Sequence, residues 1–253
     1  MSGPFRIVAL WCWYRGAGFH GYQRQGDLRT VQGELLRAFA RAGLSRNPVV
    51  AGRTDKGVSA RMQVLSGRVS REVEVDSLPA RLNAFLPPDL GIHLARERAP
   101  GFHAAWSAEA KEYRYVVSRE NAGDLERLRS AAALIPGTRN FKVFHFKTSA
   151  EQLRTVTSVE VLNEGSTVTL RFVGEGFARH MVRMLVAAIT AVARGELDLE
   201  VMNAGLTLQR NFHCPIAAPE PLTLWSVGYS EASDPFTAAE RADFRWPRTD
   251  VDR

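Results

Sequence analysis

The sequence predicts an α+β fold in which two α+β halves share an extended sheet. Two observations predict it. Strand-like and helix-like segments alternate in both halves of the chain. A length of 253 residues, 45% of them hydrophobic, suits two small domains with real cores. We place the boundary near residues 104 to 110, giving halves 1–104 and 105–229 and a polar tail, 230–253.

The first half begins with a strand, Phe5 to Tyr14, which is dense in β-branched and aromatic residues. Thr30 is a candidate cap for a helix, since apolar residues follow it at helical spacing. These are Val31, Leu35, Leu36 and Phe39. The remaining predicted segments are a strand at Met62–Val69, a helix at Val75–Leu86 stopped by two prolines, and strands at Ile92–Arg98 and Lys111–Ser118.

The second half repeats this alternation. Its predicted segments are a helix at Leu125–Leu134, hairpin strands at Val156–Asn163 and Thr167–Val173, a long helix at Phe177–Arg194 ended by Gly195, and a strand at Leu222–Tyr229. The tail beyond Tyr229 is polar and interrupted by prolines, so we expect it to be poorly ordered.

Composition restricts the class of protein. The net charge is +6 and 29 of the 33 basic residues are Arg, which makes a polyanionic partner plausible without establishing one. Cys12 and Cys214 have no CxxC spacing, so we expect two buried thiols in a reducing cytosol and no metal site. The longest apolar stretch, Met184–Ala193, is about half a membrane span, and the N-terminal residues lack signal-peptide features. We therefore expect a cytoplasmic protein without a membrane segment.

The densest chemical signal is the loop Gly52–Ala60. It places the carboxylate of Asp55 between two glycines, with the cations Arg53 and Lys56 beside it. Glycines allow tight turns and close approach of the backbone to a ligand. The residues alone leave two interpretations open: a reactive carboxylate, or a surface turn whose Asp caps a helix.

This loop closely resembles the catalytic loop of the TruA family of pseudouridine synthases. The Lys-Gly-Val-Ser form is similar to the eukaryotic branch, because bacterial members usually have His where Ser59 stands. Three further blocks resemble the family in the same order and extend the resemblance over residues 5 to 229. They are Phe19–Gln25, Phe102–Tyr115 and Gly176–Arg183.

The resemblance implies two ferredoxin-like α+β halves sharing an extended, mainly antiparallel sheet, with a catalytic cleft between them. It also implies a tRNA pseudouridine synthase that isomerises uridine in the anticodon stem-loop, at the family-typical positions 38–40, without cofactor or metal. Family members act as homodimers, so we expect a homodimer with tRNA as its partner.

The resemblance also assigns roles to residues. Asp55 matches the catalytic aspartate and nucleophile, with attack at C1′, addition at C6 and removal of the C2′ proton all open. Tyr113 is expected to stack on the target uracil and Arg53 to fill the place of the extruded base. Arg183 is expected to pair with Asp55 and keep it ionised, the alternative being an Arg that reaches solvent. We assign RNA contacts to Gln23, Arg24, Gln25 and Arg179, the last of which shares a helix face with Arg183 on the predicted long helix.

Three other functions are alternatives to this one. An RNA-binding or tRNA-folding protein without catalysis is opposed by the presence of all four catalytic-site residues. An unrelated carboxylate-dependent hydrolase lacks a second motif carboxylate. A pseudouridine synthase paralogue acting on other RNA sites stays open, because the catalytic loop has the eukaryotic form. Ala187, Pro221 and the shortened 120–155 stretch also depart from the family pattern, which affects the choice of uridines.

Overall fold

A computed structural model describes residues 4–44, 48–146 and 153–247. It confirms a mixed α+β fold with a large, mostly antiparallel sheet. The strands described are β1 (Phe5–Tyr14), β2 (Val49–Val50), β3 (Ser59–Ser70), β4 (Leu90–Arg98), β5 (Ala108–Ser118), β6 (Gly137–Asn140), β7 (Leu153–Asn163), β8 (Thr167–Gly174) and β9 (Leu222–Tyr229). The α-helices are α1 (Val31–Arg41), α2 (Leu78–Asn83), α3 (Leu125–Ala133), α4 (Met181–Arg194), α5 (Leu199–Leu206) and α6 (Ala238–Asp243).

The chain forms two compact units. Unit 1 comprises Met1–Glu109 and Leu224–Arg253, and unit 2 comprises Ala110–Thr223. Most of β9 and the segment after it therefore belong to the same unit as β1 to β4.

Unit 1 is built on the strand order β4-β1-β3-β9, with β2 paired to β3. The predicted first strand is confirmed at both ends, and it pairs antiparallel with both β3 and β4. Residues 8 to 14 of this central strand are all buried, which explains why its sequence is apolar on both faces.

The first helix forms as its cap predicts. The Thr30 side chain accepts a hydrogen bond from the Gly33 amide at 3.2 Å, and three of the four predicted apolar positions are buried while Leu36 is half-buried. The predicted helix at 75–86 is shorter than expected, since a single 3₁₀ turn, Val75–Ser77, precedes α2 and α2 ends at Asn83.

Unit 2 has the antiparallel strand order β5-β8-β7-β6. The predicted hairpin is confirmed, with Gly165 at φ +82° in its turn, where a residue without a side chain is unstrained. The long helix ends at Gly195, as predicted, with φ +76°.

The start of the long helix was predicted wrongly. It begins at Met181 and not at Phe177, because His180 adopts a left-handed conformation with φ +62° that interrupts a helical path. Arg179 therefore precedes α4, and it does not share a helix face with Arg183.

The expectation of a poorly ordered tail is wrong for residues 230–247. Thr237 and Glu240 form a capping box that begins α6. Phe236 and Phe244 are 2% and 4% exposed, so this segment packs as part of unit 1. The last part of the predicted tail, 248–253, lies outside the described residues.

Candidate active site

The loop that carries Asp55 connects β2 to β3 in unit 1. Thr54 is buried, Asp55 is half-buried, and Arg53 and Lys56 are exposed. The amide of Val58 donates to the Asp55 carbonyl at 3.2 Å, which closes a tight turn immediately before β3. The turn therefore presents one carboxylate with a cation on either side in the sequence.

A second segment, residues 16–22, supports this loop through its backbone. The Tyr22 amide donates to the Thr54 carbonyl at 3.1 Å, and the Gly57 amide donates to the Phe19 carbonyl at 3.3 Å. A Cβ added at Gly16 would lie less than 3.0 Å from the carbonyl groups of Gly57 and Val58. The two backbones are therefore in direct contact, and only glycine fits at position 16.

A buried network of polar side chains holds the Asp55 loop in place through hydrogen bonds. The Tyr14 hydroxyl and the Thr54 hydroxyl share a hydrogen bond of 2.8 Å. The Gln63 amide nitrogen donates to the Gly52 carbonyl at 2.7 Å and to the Tyr14 hydroxyl at 3.3 Å. Sequence reasoning missed these three side chains. The sequence contained one signal, because Gln63 is a polar residue within an apolar strand. In the structure its side chain is completely buried.

The predicted RNA-binding residues of unit 1 lie directly after the supporting segment. Gln23, Arg24 and Gln25 are all exposed. The Arg24 amide donates to the Gln32 side chain at 3.0 Å, and the Gln25 side chain donates to the His20 carbonyl at 3.3 Å. Because Tyr22 is bonded to Thr54, unit 1 brings these residues to the same region as Arg53 and Asp55.

Tyr113 lies on β5 in unit 2, where its side chain is buried and Arg114 points to the other face, as strand alternation predicts. Its ring meets the ring of Phe177 edge-to-face, with centroids 5.3 Å apart. Tyr115, two residues further on, is influenced by the charge of Arg183. Burial raises the pKa of Tyr115, the Arg183 charge opposes this rise, and Glu220 adds to it.

Arg183 is half-buried in the first turn of α4. Its Nε donates to the Ala217 carbonyl at 2.7 Å, and the Ala217 amide donates to the Arg183 carbonyl at 3.2 Å. The first bond orients the guanidinium, and the second joins the backbone of α4 to that of residue 217. Arg179 is exposed, and its guanidinium carbon lies 5.9 Å from the ring centre of Phe146.

The two cysteines are buried and free, as predicted. Burial raises the pKa of Cys214 to about 12 and raises that of Cys12 further, so neither thiol ionises at neutral pH. Within the described ranges, no group of three or more His, Cys, Asp and Glu side chains is placed to hold a metal ion.

Comparison with known proteins identifies the family. Residues 131–230 match the family described as tRNA pseudouridine synthase. The tRNA pseudouridine synthase A of Geobacillus sp. (strain WCH70) is 35% identical over 85% of this chain and 95% of its own length. The chain belongs to the tRNA pseudouridine synthase A family. It is therefore a pseudouridine synthase, an enzyme of the isomerase class.

Archaeal members of the family are equally similar. The enzymes of Methanothrix thermoacetophila and Natronomonas pharaonis are 35% and 36% identical, over 88% and 94% of this chain and 84% and 88% of their own lengths. A solved archaeal box H/ACA sRNP Nop10–Cbf5 complex matches with a TM-score of 0.35 and 16% identity, over 72% of this chain and 43% of that one. The family assignment therefore depends on the sequence relatives. No helix in the described part of the chain is long and apolar enough to cross a membrane.

Proposed function

We propose that this enzyme converts uridine to pseudouridine in the anticodon stem-loop of tRNA, at the family-typical positions 38–40, with Asp55 as the catalytic aspartate and without a cofactor. The names of the relatives, tRNA pseudouridine synthase A, support tRNA as the substrate. The observation that carries the proposal is the construction of the Asp55 loop. Its backbone is bonded to the 16–22 segment on one side and to the buried Tyr14–Thr54–Gln63 network on the other.

The reaction explains why such a loop is needed. Pseudouridine formation breaks the bond between N1 of uracil and C1′ of the ribose, and forms a bond between C5 and C1′. The base stays the same, and no electrons are gained or lost. A carboxylate that reacts with the sugar or the base assists the bond cleavage. C5 loses its proton at the end and N1 gains one, so the composition of the nucleotide does not change. Such a carboxylate works only when its position is fixed relative to the nucleotide, which a backbone-bonded loop provides.

The remaining site residues receive supporting roles in this proposal. Tyr113 stacks on the target uracil with its ring, and Arg53 occupies the place of the extruded base. Arg183 pairs its guanidinium with the Asp55 carboxylate. The exposed side chains of Gln23, Arg24, Gln25 and Arg179 contact the RNA. We further propose that the enzyme is cytoplasmic and works as a homodimer on tRNA.

The test of the catalytic assignment is the variant Asp55→Asn, which keeps the size of the side chain and removes its charge. We expect no pseudouridine formation, with tRNA affinity retained, because the proposal gives Asp55 chemistry and not binding. Carbodiimide mapping of tRNA before and after reaction identifies the positions modified. Turnover by purified Asp55→Asn protein contradicts the assignment, and binding without turnover by the wild type favours the non-catalytic alternative. Modification of RNA outside positions 38–40 favours the paralogue.

A second test concerns Arg183. Arg183→Leu is expected to lose most activity, because it removes the positive charge and the hydrogen-bond donors that the proposal places beside the Asp55 carboxylate. Arg183→Lys keeps the charge without the planar fork, and we expect measurable activity. Single-turnover rates of both variants, with tRNA affinity measured in parallel, distinguish the outcomes. Equal activity of Arg183→Leu and wild type contradicts the role.

A further inference from the structure

The C-terminal strap, which we define as residues 234–246, covers one face of the sheet of unit 1. The rings of Phe236 and Phe244 lie 5.5 and 5.1 Å from that of Trp11 on β1, and Phe244 lies 4.8 Å from His93 on β4. The strap is fixed internally by an ion pair in which Nη2 of Arg241 lies 2.7 Å from each carboxylate oxygen of Asp234. The strap is thus an ordered element whose aromatic side chains pack against the sheet.

Arg61 joins this strap to the end of the Asp55 loop. It is the third residue of β3, and it is only 8% exposed. Its Nη2 donates to the carbonyls of Arg241 and Phe244 in the strap. Its guanidinium carbon lies 4.9 Å from the ring centre of Trp225 and 5.1 Å from that of Phe244. A buried cation between aromatic rings is held strongly, because the rings attract it and water does not compete.

An irregularity in β3 occurs at the same point. Cys12 of β1 pairs with Gln63, but Tyr14 pairs with Ala60, so β3 has one extra residue between these pairs. Such a bulge changes the direction of side chains and is frequent beside active sites. Here it lies at Arg61–Met62, immediately after the loop, where the strap bonds to Arg61.

Trp246 links the strap to the other support of the loop. Its ring centre lies 4.3 Å from the guanidinium carbon of Arg15. Arg15 directly precedes Gly16, whose amide donates to the Ser59 hydroxyl at 3.0 Å and whose backbone contacts the Gly57–Val58 turn. The strap therefore reaches the loop by two routes, through Arg61 and through Arg15.

We propose that the C-terminal strap is a positioning element for the reaction, in which Trp246 acts through Arg15, and Phe244 through Arg61, to hold the Asp55 loop in its reactive position. This rests on the proposed role of Asp55. Neither aromatic residue is assigned a contact with RNA. If Trp246 is removed, Arg15 loses its aromatic contact, and we expect the turn at residues 55–58 to fluctuate while the rest of unit 1 stays folded.

The experiment compares Trp246→Ala, Trp246→Phe and Arg96→Ala with the wild-type full-length chain, well below the unfolding temperature of each. Arg96→Ala is the control, because it removes a strap contact, the ion pair with Glu240, that involves neither Trp246 nor Arg15. We expect Trp246→Ala to lower the single-turnover rate of pseudouridine formation by about 10- to 100-fold without a change in tRNA affinity. Trp246→Phe restores most of the rate, since phenylalanine also binds a guanidinium, and Arg96→Ala keeps the wild-type rate.

Three results overturn the proposal. The first is a wild-type rate for Trp246→Ala. The second is a loss of rate in Trp246→Ala and Arg96→Ala alike, in proportion to their loss of thermal stability, because that indicates a purely structural role. The third is weaker tRNA binding with an unchanged rate at saturation, because that makes Trp246 an RNA contact.

Amide hydrogen exchange separates this proposal from the proposed function. The amides of Gly57 and Val58 are bonded in the loop, and their exchange is measured without substrate. We expect faster exchange at these amides in Trp246→Ala and wild-type exchange in Arg96→Ala. If the wild-type enzyme does not modify tRNA, the proposed function fails and the exchange result still decides whether the strap holds the loop. Unchanged exchange in Trp246→Ala refutes the strap proposal whatever the activity.

Discussion

At the scale of single residues, the Asp55 loop depends on glycines whose lack of a side chain allows close contact between backbones. Gly16 has no side chain, which lets its backbone lie against the Gly57–Val58 turn. Gly21 adopts φ +90°, and a Cβ there would lie 3.1 Å from the Lys56 amide and the Thr54 carbonyl. The loop and its support are therefore adapted to each other at two positions where a larger residue is excluded.

This close approach predicts the effect of one methyl group. Gly16→Ala forces the two backbones apart, and we expect a loss of about 1–3 kcal/mol in the free energy of unfolding together with a loss of activity. Gly67→Ala is the control, because its added Cβ lies 3.8 Å from Pro48, an ordinary contact distance. Urea unfolding and single-turnover assays of both variants provide the comparison. Wild-type activity of Gly16→Ala would show that the loop tolerates displacement.

At the scale of elements, β5 has two faces with different tasks. One face places Tyr113 in the interior of unit 2. The other contains Glu112 and Arg114, and the residue paired with Arg114 on β8 is Arg171. Two cations lie directly opposite each other, and the Glu112 carboxylate bonds to both, at 2.7 Å from Arg114 and 3.0 Å from Arg171. This shared carboxylate stabilises the strand that places Tyr113.

The pKa of Glu112 follows from this arrangement. Burial alone would raise it, but the hydrogen bonds and charges of Arg171 and Arg114 outweigh burial, so the pKa is lowered from 4.5. A lowered pKa in the folded state means that this stabilisation is complete above pH 4.5 and is lost as the pH falls through the folded-state value.

We expect Glu112→Gln to lower the free energy of unfolding by about 1–2 kcal/mol at neutral pH, the lower part of the range reflecting partial exposure of the two arginines. Glu160→Gln, the control, removes only the more exposed carboxylate, which contacts Arg171 at 2.7 Å, and should have little effect. Chemical unfolding at pH 7 and pH 4 measures both variants. An equal effect of the two substitutions, or a Glu112→Gln deficit that is as large at pH 4 as at pH 7, contradicts the shared-carboxylate interpretation.

At the scale of the whole molecule, we expect the positive net charge of the enzyme to govern its association with tRNA. The net charge of +6 arises from a basic content that is almost entirely arginine. Arginine forms paired hydrogen bonds with phosphate, and each phosphate that is neutralised releases bound counterions. A tRNA-binding surface of this kind attracts any tRNA at low salt, so that discrimination among tRNAs depends on how the target nucleotide fits at the site.

The whole-molecule prediction is a homodimer whose tRNA binding weakens steeply with salt. Light scattering at micromolar protein is expected to give about twice the chain mass of 28.1 kDa. The logarithm of the tRNA affinity is expected to fall linearly with the logarithm of the salt concentration, and Arg24→Ala should reduce that slope by about one if Arg24 contacts a phosphate. A monomer that still modifies tRNA contradicts the dimer, and a slope unchanged by Arg24→Ala contradicts the contact.

The sequence by itself determined the features that depend on neighbouring residues. The bounds of β1 and β9, the Thr30 cap of α1 and the glycine turn of the β7–β8 hairpin all follow from local periodicity and from the conformational limits of individual residue types. The composition of the Asp55 loop and its resemblance to the TruA family pointed to the enzyme class, which the sequence relatives confirm.

Only the tertiary structure decided the features that depend on partners distant in the chain. The strap was predicted to be poorly ordered because its sequence is polar, yet Phe236 and Phe244 pack against Trp11, more than two hundred residues earlier. Gln63 is an ordinary strand residue by sequence, and only its hydrogen bonds to the Gly52 carbonyl and the Tyr14 hydroxyl show its role in the loop. The start of α4 at Met181 depends on the left-handed backbone of His180, a conformation that residue type alone does not specify. For the strap and for Gln63, long-range contacts decide the structure, and local sequence patterns contain no information about which distant residue will supply such a contact.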